Sequence, residues 1–138
     1  MCVHRTFRDK WERENRGEKR LLITGIHHFA IIASGETTVD FYRRFGFEEF
    51  FRRERPYDTV VLLRGPQGIV LEMFLDPGHP AKGDPEPQGL RHLAFHVAGI
   101  EQTAEELELE IGPIMEDWVG ARYAYTTDPD GNVVELHE

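Results

Sequence analysis

Apolar and polar residues follow the same order in two stretches of the chain. In the first stretch, an apolar run at 23–33 predicts a strand, and Phe41 and Phe45, one turn apart, predict a helix over 37–45. Three more strands are predicted at 47–53, 59–64 and 69–75, with a hairpin turn at 65–68 between the last two. The pattern therefore gives the element order β-α-β-β-β.

The second stretch repeats this order after a segment at 76–89 that is rich in proline and glycine. A strand is predicted at 90–98, and a helix follows because apolar residues recur at helical spacing on one face, namely Ile100, Ala104, Leu107 and Ile111. Glu101, Glu105 and Glu108 fall on its other face, and Gly112-Pro113 ends it. Further strands are predicted at 114–116, 122–127 and 133–137, with a turn at 128–132.

The two stretches also resemble each other in sequence. Residues 28–35 parallel 92–99, and residues 65–72 parallel 128–135. An internal repeat of this kind predicts the fold class, because each repeat is one folding unit. We predict an α+β domain at 21–138 made of two tandem βαβββ modules, 21–77 and 89–138, joined by a linker at 78–88 and together forming a half-barrel cavity.

Composition narrows the possible partners. The formal net charge of −9 argues against nucleic acid as a general partner, since phosphate binding requires a basic surface. No apolar run is long enough to span a bilayer, and the one cysteine, Cys2, cannot form an intrachain disulfide. We therefore expect a cytoplasmic protein that associates with neither nucleic acid nor membranes.

The first 20 residues differ from the rest of the chain. They contain seven Lys or Arg residues against four acidic residues, and they lack an apolar stripe. This composition predicts a polar tail, mobile or weakly helical, at 1–20. The alternative is a basic arm that docks on the acidic body or on a neighbouring subunit.

Each module carries a histidine on its first predicted strand and a glutamate on its last. These residues are His28 and Glu72 in module one, and His92 and Glu135 in module two. Polar groups inside apolar strands are costly unless they are paired or bound to metal. Any one of them alone is more commonly a core histidine or a solvated glutamate, but all four at equivalent positions favour a shared site. Imidazole and carboxylate ligands suit one divalent ion of Ni, Zn, Co, Mn or Fe.

Strand alternation places His96 on the same face as His92, where it is a candidate for contact with substrate. The alternative is a histidine at the rim of the cavity with no chemical role. His137 shares a face with Glu135, and we expect it to be solvated because it lies near the end of the sequence. Asp130 is expected to serve the turn.

From about residue 24 to residue 138, the chain resembles the vicinal oxygen chelate superfamily, which includes glyoxalase I, bleomycin-resistance proteins, fosfomycin-resistance enzymes, methylmalonyl-CoA epimerase and extradiol dioxygenases. Four motifs carry the resemblance: His27-His28-Phe-Ala-Ile, the segment 40–47, the segment 90–95 and the segment 128–136. The resemblance implies a glyoxalase-like ligand set of His28, Glu72, His92 and Glu135. His28 is preferred to His27, which has the opposite strand parity.

The resemblance also implies a reaction. In glyoxalase I-like enzymes, a metal chelates two vicinal oxygens, and a glutamate moves a proton between neighbouring carbons through an enediolate. This predicts a lyase that converts the thiol hemithioacetal of a 2-oxoaldehyde to a 2-hydroxyacyl thioester, with Glu135 or Glu72 as the catalytic base. The alternatives are another metal-dependent member of epimerase, transferase or dioxygenase type, or a non-catalytic protein that sequesters a small molecule. Glu72 disfavours the epimerase type, whose members usually have a glutamine at this position. It also disfavours the transferase type, which uses three ligands.

The resemblance also implies which residues line the pocket and how the chains assemble. The segment that contains Arg122 and Tyr123 often helps to line the pocket in the family, so both are candidates for substrate binding; a structural salt bridge is the alternative for Arg122. Relatives often dimerise so that modules from two chains form each site. Because the edges of each half-barrel must be paired or covered, we predict a homodimer.

Overall fold

The computed structural model describes residues 22–23 and 25–138, so the predicted tail at 1–20 lies outside the described residues. The elements in chain order are β1 (Phe29–Ala33), α1 (Glu36–Arg44), β2 (Glu48–Glu54), β3 (Thr59–Arg64), β4 (Val70–Leu75), β5 (His92–His96), α2 (Ile100–Glu106), β6 (Met115–Glu116), β7 (Arg122–Thr127) and β8 (Val133–His137). They form two four-stranded sheets with the orders β1-β4-β3-β2 (sheet one) and β5-β8-β7-β6 (sheet two). The predicted α+β fold of two βαβββ modules is confirmed.

The first and last strands of each module lie side by side. In sheet one, β1 runs parallel to β4, with Ala30 opposite Glu72. In sheet two, β5 runs parallel to β8, with Ala94 opposite Glu135. The two registers are equivalent, so the repeat seen in the sequence is also a repeat of strand pairing.

Alternation along the strands gives each sheet a covered face and an open face. In sheet one, the covered face packs against α1 through buried residues of β3 and β4, namely Val61, Leu63, Leu71 and Met73. The residues between them, including Leu62, Glu72 and Phe74, point to the open face. In sheet two, Ala124 and Leu136 are buried beside Ile100 of α2, which leaves Tyr125, Glu135 and His137 on the open face.

Module one packs against module two through α1 and the turn at 128–132. The ring centroid of Phe45 lies 5.1 Å from that of Phe95, and the Tyr42 hydroxyl donates a 2.9 Å hydrogen bond to the buried Asp128. Asp130, which we expected to serve only the turn, accepts hydrogen bonds from the Ser34 amide at 3.0 Å and the Thr38 hydroxyl at 2.5 Å. The Asp-rich turn therefore joins the modules.

Three predicted elements are longer than the structure allows. The strand predicted at 23–33 begins only at Phe29, where pairing with β4 begins, and Ile26 before it is 77% exposed. The helix predicted to reach Ile111 ends at Glu106, because Glu108 adopts a positive φ of 54° and breaks the helical repeat. The strand predicted at 90–98 is shortened at both ends to His92–His96. Among the described residues, the helices are all too short or too polar to cross a membrane.

Candidate metal centre

Module one places His28 beside Glu72. His28 lies immediately before β1, and its Nε2 is 3.3 Å from Glu72 Oε2 on the neighbouring strand. Its Nδ1 is 2.9 Å from Nδ1 of His27, so one of these two nitrogens carries the shared proton. His27 thus fixes the orientation of the His28 ring while leaving Nε2 directed at the carboxylate.

Module two places His92 beside Glu135 in the equivalent way. His92 Nε2 lies 3.8 Å from Glu135 Oε1, and the ring of Tyr125 packs 5.5 Å from the His92 ring. Tyr125 is also opposite Glu135 in the β7–β8 register. Burial, and then the negative charge of Glu135, raise the pKa of Tyr125, so its phenol stays protonated beside the carboxylate.

The spacing within each pair fits two ligands of one metal ion. Ligands about 2.1 Å from an ion and at right angles to each other lie roughly 3 Å apart, close to the separations of 3.3 Å and 3.8 Å in the two pairs. An imidazole nitrogen and a carboxylate oxygen are also the donor types that first-row divalent metals take. Each pair therefore fits half of the predicted four-ligand set.

The chain does not gather the four predicted ligands within itself. In residues 22–23 and 25–138, no group of three or more His, Cys, Asp or Glu side chains is placed to hold a metal ion. A cavity of about 480 Å³ lies between β1, the 76–91 segment and β5, and of the four residues only His92 lines it. The two pairs belong to the open faces of two different sheets.

Two of the three predicted substrate-binding residues lie on the open face of sheet two. His96 is opposite His137 in the β5–β8 register and is exposed. Tyr123 stacks on His137 with ring centroids 6.4 Å apart. Both therefore share a face with Glu135.

Arg122 does not lie with these residues. Strand alternation turns it to the covered side of sheet two, where it forms ion pairs with Glu101 of α2 and, at 3.0 Å, with Glu138. The structure therefore gives Arg122 the salt-bridge position that was its alternative, and the expected contact with substrate is not supported by its placement.

Sequence reasoning missed the pairing of His137 with Asp117. His137 Nε2 lies 2.9 Å from Asp117 Oδ2, and this hydrogen bond raises the pKa of His137. The other carboxylate oxygen of Asp117 accepts the amide hydrogens of Val119 and Ala121, which shapes the loop between β6 and β7. The expectation of a solvated His137 was wrong because its partner comes from a loop that no local pattern connects to β8.

Comparison with known proteins places the fold in a family. The model of the Glyoxalase/Bleomycin resistance protein/Dioxygenase superfamily matches residues 25–136. YwkD of Bacillus subtilis (strain 168), described as uncharacterized, is 38% identical over 129 residues, which cover 86% of this chain and 99% of that protein.

Solved structures agree with this result. The crystal structure of a glyoxalase family protein from Enterococcus faecalis matches with a TM-score of 0.77 and 38% identity, over 84% of this chain and 98% of that one. The fosfomycin resistance protein FosX of Listeria monocytogenes, solved with Mn(II) and sulfate, matches in fold alone, with a TM-score of 0.65 at 18% identity over 84% of this chain and 93% of that one. The chain belongs to the Glyoxalase/Bleomycin resistance protein/Dioxygenase superfamily.

Proposed function

We propose that this protein is a metal-dependent lyase of the glyoxalase I type. Its substrate is the thiol hemithioacetal of a 2-oxoaldehyde, and its product is the 2-hydroxyacyl thioester. The observation that carries the proposal is the His–Glu pair at the same register position of both sheets, 3.3 Å apart in one and 3.8 Å apart in the other. A divalent ion, one of Ni, Zn, Co, Mn or Fe, is held by His28, Glu72, His92 and Glu135 in this proposal.

The site is completed by a second copy of the chain. Each open face supplies two ligands, so His28 and Glu72 of one chain combine with His92 and Glu135 of its partner. The open face of sheet one also exposes large apolar side chains, since Ile32 is 52% exposed and Phe51 is 41% exposed. Apolar surface of this kind is stabilised when another protein surface covers it. A two-fold homodimer covers both open faces and forms two equivalent sites.

The reaction needs a base that moves one proton between neighbouring carbons. When bound, the metal ion stabilises negative charge that develops on two neighbouring substrate oxygens. Glu135 or Glu72 removes the proton from the carbon that bears hydroxyl and sulfur, and returns it to the adjacent carbonyl carbon. The hydroxyl proton passes to the former carbonyl oxygen, which balances the isomerisation. Tyr125, which is opposite Glu135 in the β7–β8 register, stays protonated beside that carboxylate.

Metal analysis of the purified protein, combined with a turnover screen of 2-oxoaldehyde–thiol adducts, tests the proposal. We expect close to one divalent ion per site, and a lower content after Glu72→Gln or His92→Ala. His79→Ala and Glu105→Gln are matched controls, because these residues are not part of either pair and should leave metal content unchanged. Equal metal in the wild type and both ligand variants would contradict the metal site.

Extending the turnover screen to other substrates with vicinal oxygens separates the alternatives. A metal-loaded protein that turns over no hemithioacetal but acts on another substrate with vicinal oxygens would be an epimerase, transferase or dioxygenase type of the superfamily. Wild-type protein that binds no metal under any loading condition would instead be a small-molecule-binding protein.

A further inference from the structure

An arginine at the tip of the β2–β3 hairpin folds over the open face of sheet one. Nε and Nη2 of Arg55 each lie 2.6 Å from the carboxylate of Asp58. The guanidinium also lies 4.7 Å from the ring centroid of Tyr57 and 5.6 Å from that of Phe74. Phe74 is two residues beyond Glu72 on the same face of β4. Arg55 is therefore held over Phe74, which lies two residues from the proposed metal ligand Glu72 on the same face.

The guanidinium of Arg55 keeps donors for another group. An arginine has five N–H donors in a planar fork, and Asp58 takes two of them. In the described part of the chain, Arg55 makes no other side-chain hydrogen bond besides this pair. This ion pair is partly buried, with 31% of the Arg55 side chain and 10% of the Asp58 side chain exposed, and its two parallel hydrogen bonds fix the orientation of the arginine. The remaining donors have the geometry that binds a carboxylate in a bidentate way.

The surroundings of Arg55 favour an anion within an otherwise acidic protein. The chain has a formal net charge of −9. On the open face of sheet one, however, Arg53 packs over the ring of Phe51 and Arg64 over the ring of Phe50. Arginine on aromatic rings keeps its charge while losing little freedom. An anionic group is therefore better accommodated here than on the general surface.

The two modules differ at the position of Arg55, although both carry a histidine and a glutamate as proposed metal ligands. Leu62 is opposite Glu72 in module one, as Tyr125 is opposite Glu135 in module two. When this equivalence is extended to β2 and β6, Arg55 corresponds to Asp117. Asp117 pairs with His137, which occupies the place that Phe74 has in module one. The repeat thus supplies a cation at one side of the proposed site and an acid–histidine pair at the other, an arrangement that orients an unsymmetrical substrate.

We propose that Arg55 binds a carboxylate of the substrate. Residues two apart on a strand are about 7 Å apart, which sets the distance of this carboxylate from the chelated oxygens at roughly one such step. The substrate class is then a hemithioacetal that carries an acidic group, on either its thiol or its aldehyde part. This inference rests on the proposed function and adds the recognition of charge to it.

Two kinds of chelating probe test the inference without turnover. Acetohydroxamate offers two vicinal oxygens only, whereas the monohydroxamic acids of succinate and glutarate offer the same oxygens and a carboxylate. Calorimetry with manganese-loaded protein measures the Kd of each. In the wild type, we expect the better carboxylate probe to bind about tenfold more tightly than acetohydroxamate, as a charge-assisted bidentate pair requires. Arg55→Gln should remove this advantage, leave the Kd of acetohydroxamate unchanged and keep the metal content, and Arg55→Lys should restore part of it.

Arg52→Gln is the matched control, because Arg52 is on the same hairpin and is also ion-paired, but with Glu36 and Glu49 on the covered side. It should retain the full advantage. An advantage that persists in Arg55→Gln, or a loss of metal and of acetohydroxamate binding together in that variant, would overturn the role of Arg55. Failure of acetohydroxamate to bind the metal-loaded wild type would instead overturn the proposed function, and this inference with it.

Discussion

At the scale of residues, the four ligand candidates could be predicted because each one interrupts an apolar strand. Glu72 follows Ile69, Val70 and Leu71, and its counterpart Glu135 follows Val133 and Val134. A carboxylate in such a run has a cost that a metal or a partner must offset. The structure adds the pairing of each glutamate with one histidine, which follows from strand order and is not visible in either strand alone.

Removal of a ligand carboxylate tests the role of the glutamates. We expect Glu135→Gln or Glu72→Gln to lower kcat by at least about 100-fold at saturating metal, because a positioned base contributes that much or more. Substrate binding should suffer less than turnover, since the charge on the substrate oxygens develops along the reaction path. Steady-state kinetics on a confirmed hemithioacetal measures both effects.

His96→Ala is the comparison for these variants, because His96 lies on the same open face but belongs to neither pair. It should reduce kcat much less than the glutamate variants do. Wild-type kcat in both fully metallated glutamine variants would show that neither glutamate is the base.

Side chains whose partners come from distant segments could not be predicted. Arg122 meets Glu101 and Glu138 across the covered side, and Arg55 reaches back over Phe74 from a hairpin tip. Local periodicity gives the face of a strand on which a residue lies. It does not give the loop that folds over that face, so Asp117 and Arg55 became visible only in the structure.

Asp130 makes the junction of the modules sensitive to acid. Burial raises its pKa, but hydrogen bonds from Ser34 and Thr38 outweigh this effect and hold the pKa below its ordinary value of 3.8. Because the pKa of Asp130 is lower in the folded than in the unfolded protein, its negative charge stabilises the folded protein at pH values above the unfolded-state pKa. This stabilisation is lost as the pH falls through the folded-state pKa. We therefore expect Asp130→Asn to lower the free energy of unfolding at neutral pH, with the difference from wild type shrinking below pH 3.8.

Urea unfolding of both proteins across this pH range measures that difference, and other carboxylates cancel because they titrate in both proteins. A difference that is constant down to the lowest pH would contradict the contribution of the Asp130 charge.

At the scale of elements, the strands were predicted well where both flanking turns have strong sequence signals. The strands at 122–127 and 133–137 match β7 and β8 at both ends, with the turn 128–132 between them. The start of β1 and the end of α2 were not predicted, because the first depends on tertiary pairing with β4 and the second on the positive φ of Glu108. The apolar pattern continues beyond the start of β1 and beyond the end of α2, so it does not indicate where either element stops.

Gly65, at the end of β3, is required by packing. A Cβ at this position would overlap the ring of Phe47, which is buried with 1% exposure and cannot move aside. We expect Gly65→Ala to destabilise the protein by about 2 kcal/mol, within the range for overpacking a core. Thermal or urea unfolding measures the change. Gly83→Ala is the control, because a Cβ at Gly83 meets nothing within 4 Å; equal stability of the two variants would contradict this account.

At the scale of the whole molecule, the internal repeat predicted the two modules but not the way in which they combine. The sequence places a histidine and a glutamate in each module and suggests one cavity. The structure instead joins the modules through α1 and the turn at 128–132, and it leaves one His–Glu pair on the open face of each sheet. Contacts between sheets depend on the shapes of the packed faces, which the strand pattern does not determine.

Complementation between two variants tests the shared site most directly. One variant carries His28→Ala and Glu72→Gln, and the other carries His92→Ala and Glu135→Gln, so that each has one intact pair. Neither variant alone should hold the metal. When the two are coexpressed with different tags, random pairing makes half of the dimers mixed, and each mixed dimer has one intact site, so metal content should recover to about a quarter of the wild-type value per chain. A mixed sample that holds no more metal than the separate variants would contradict a site built from two chains.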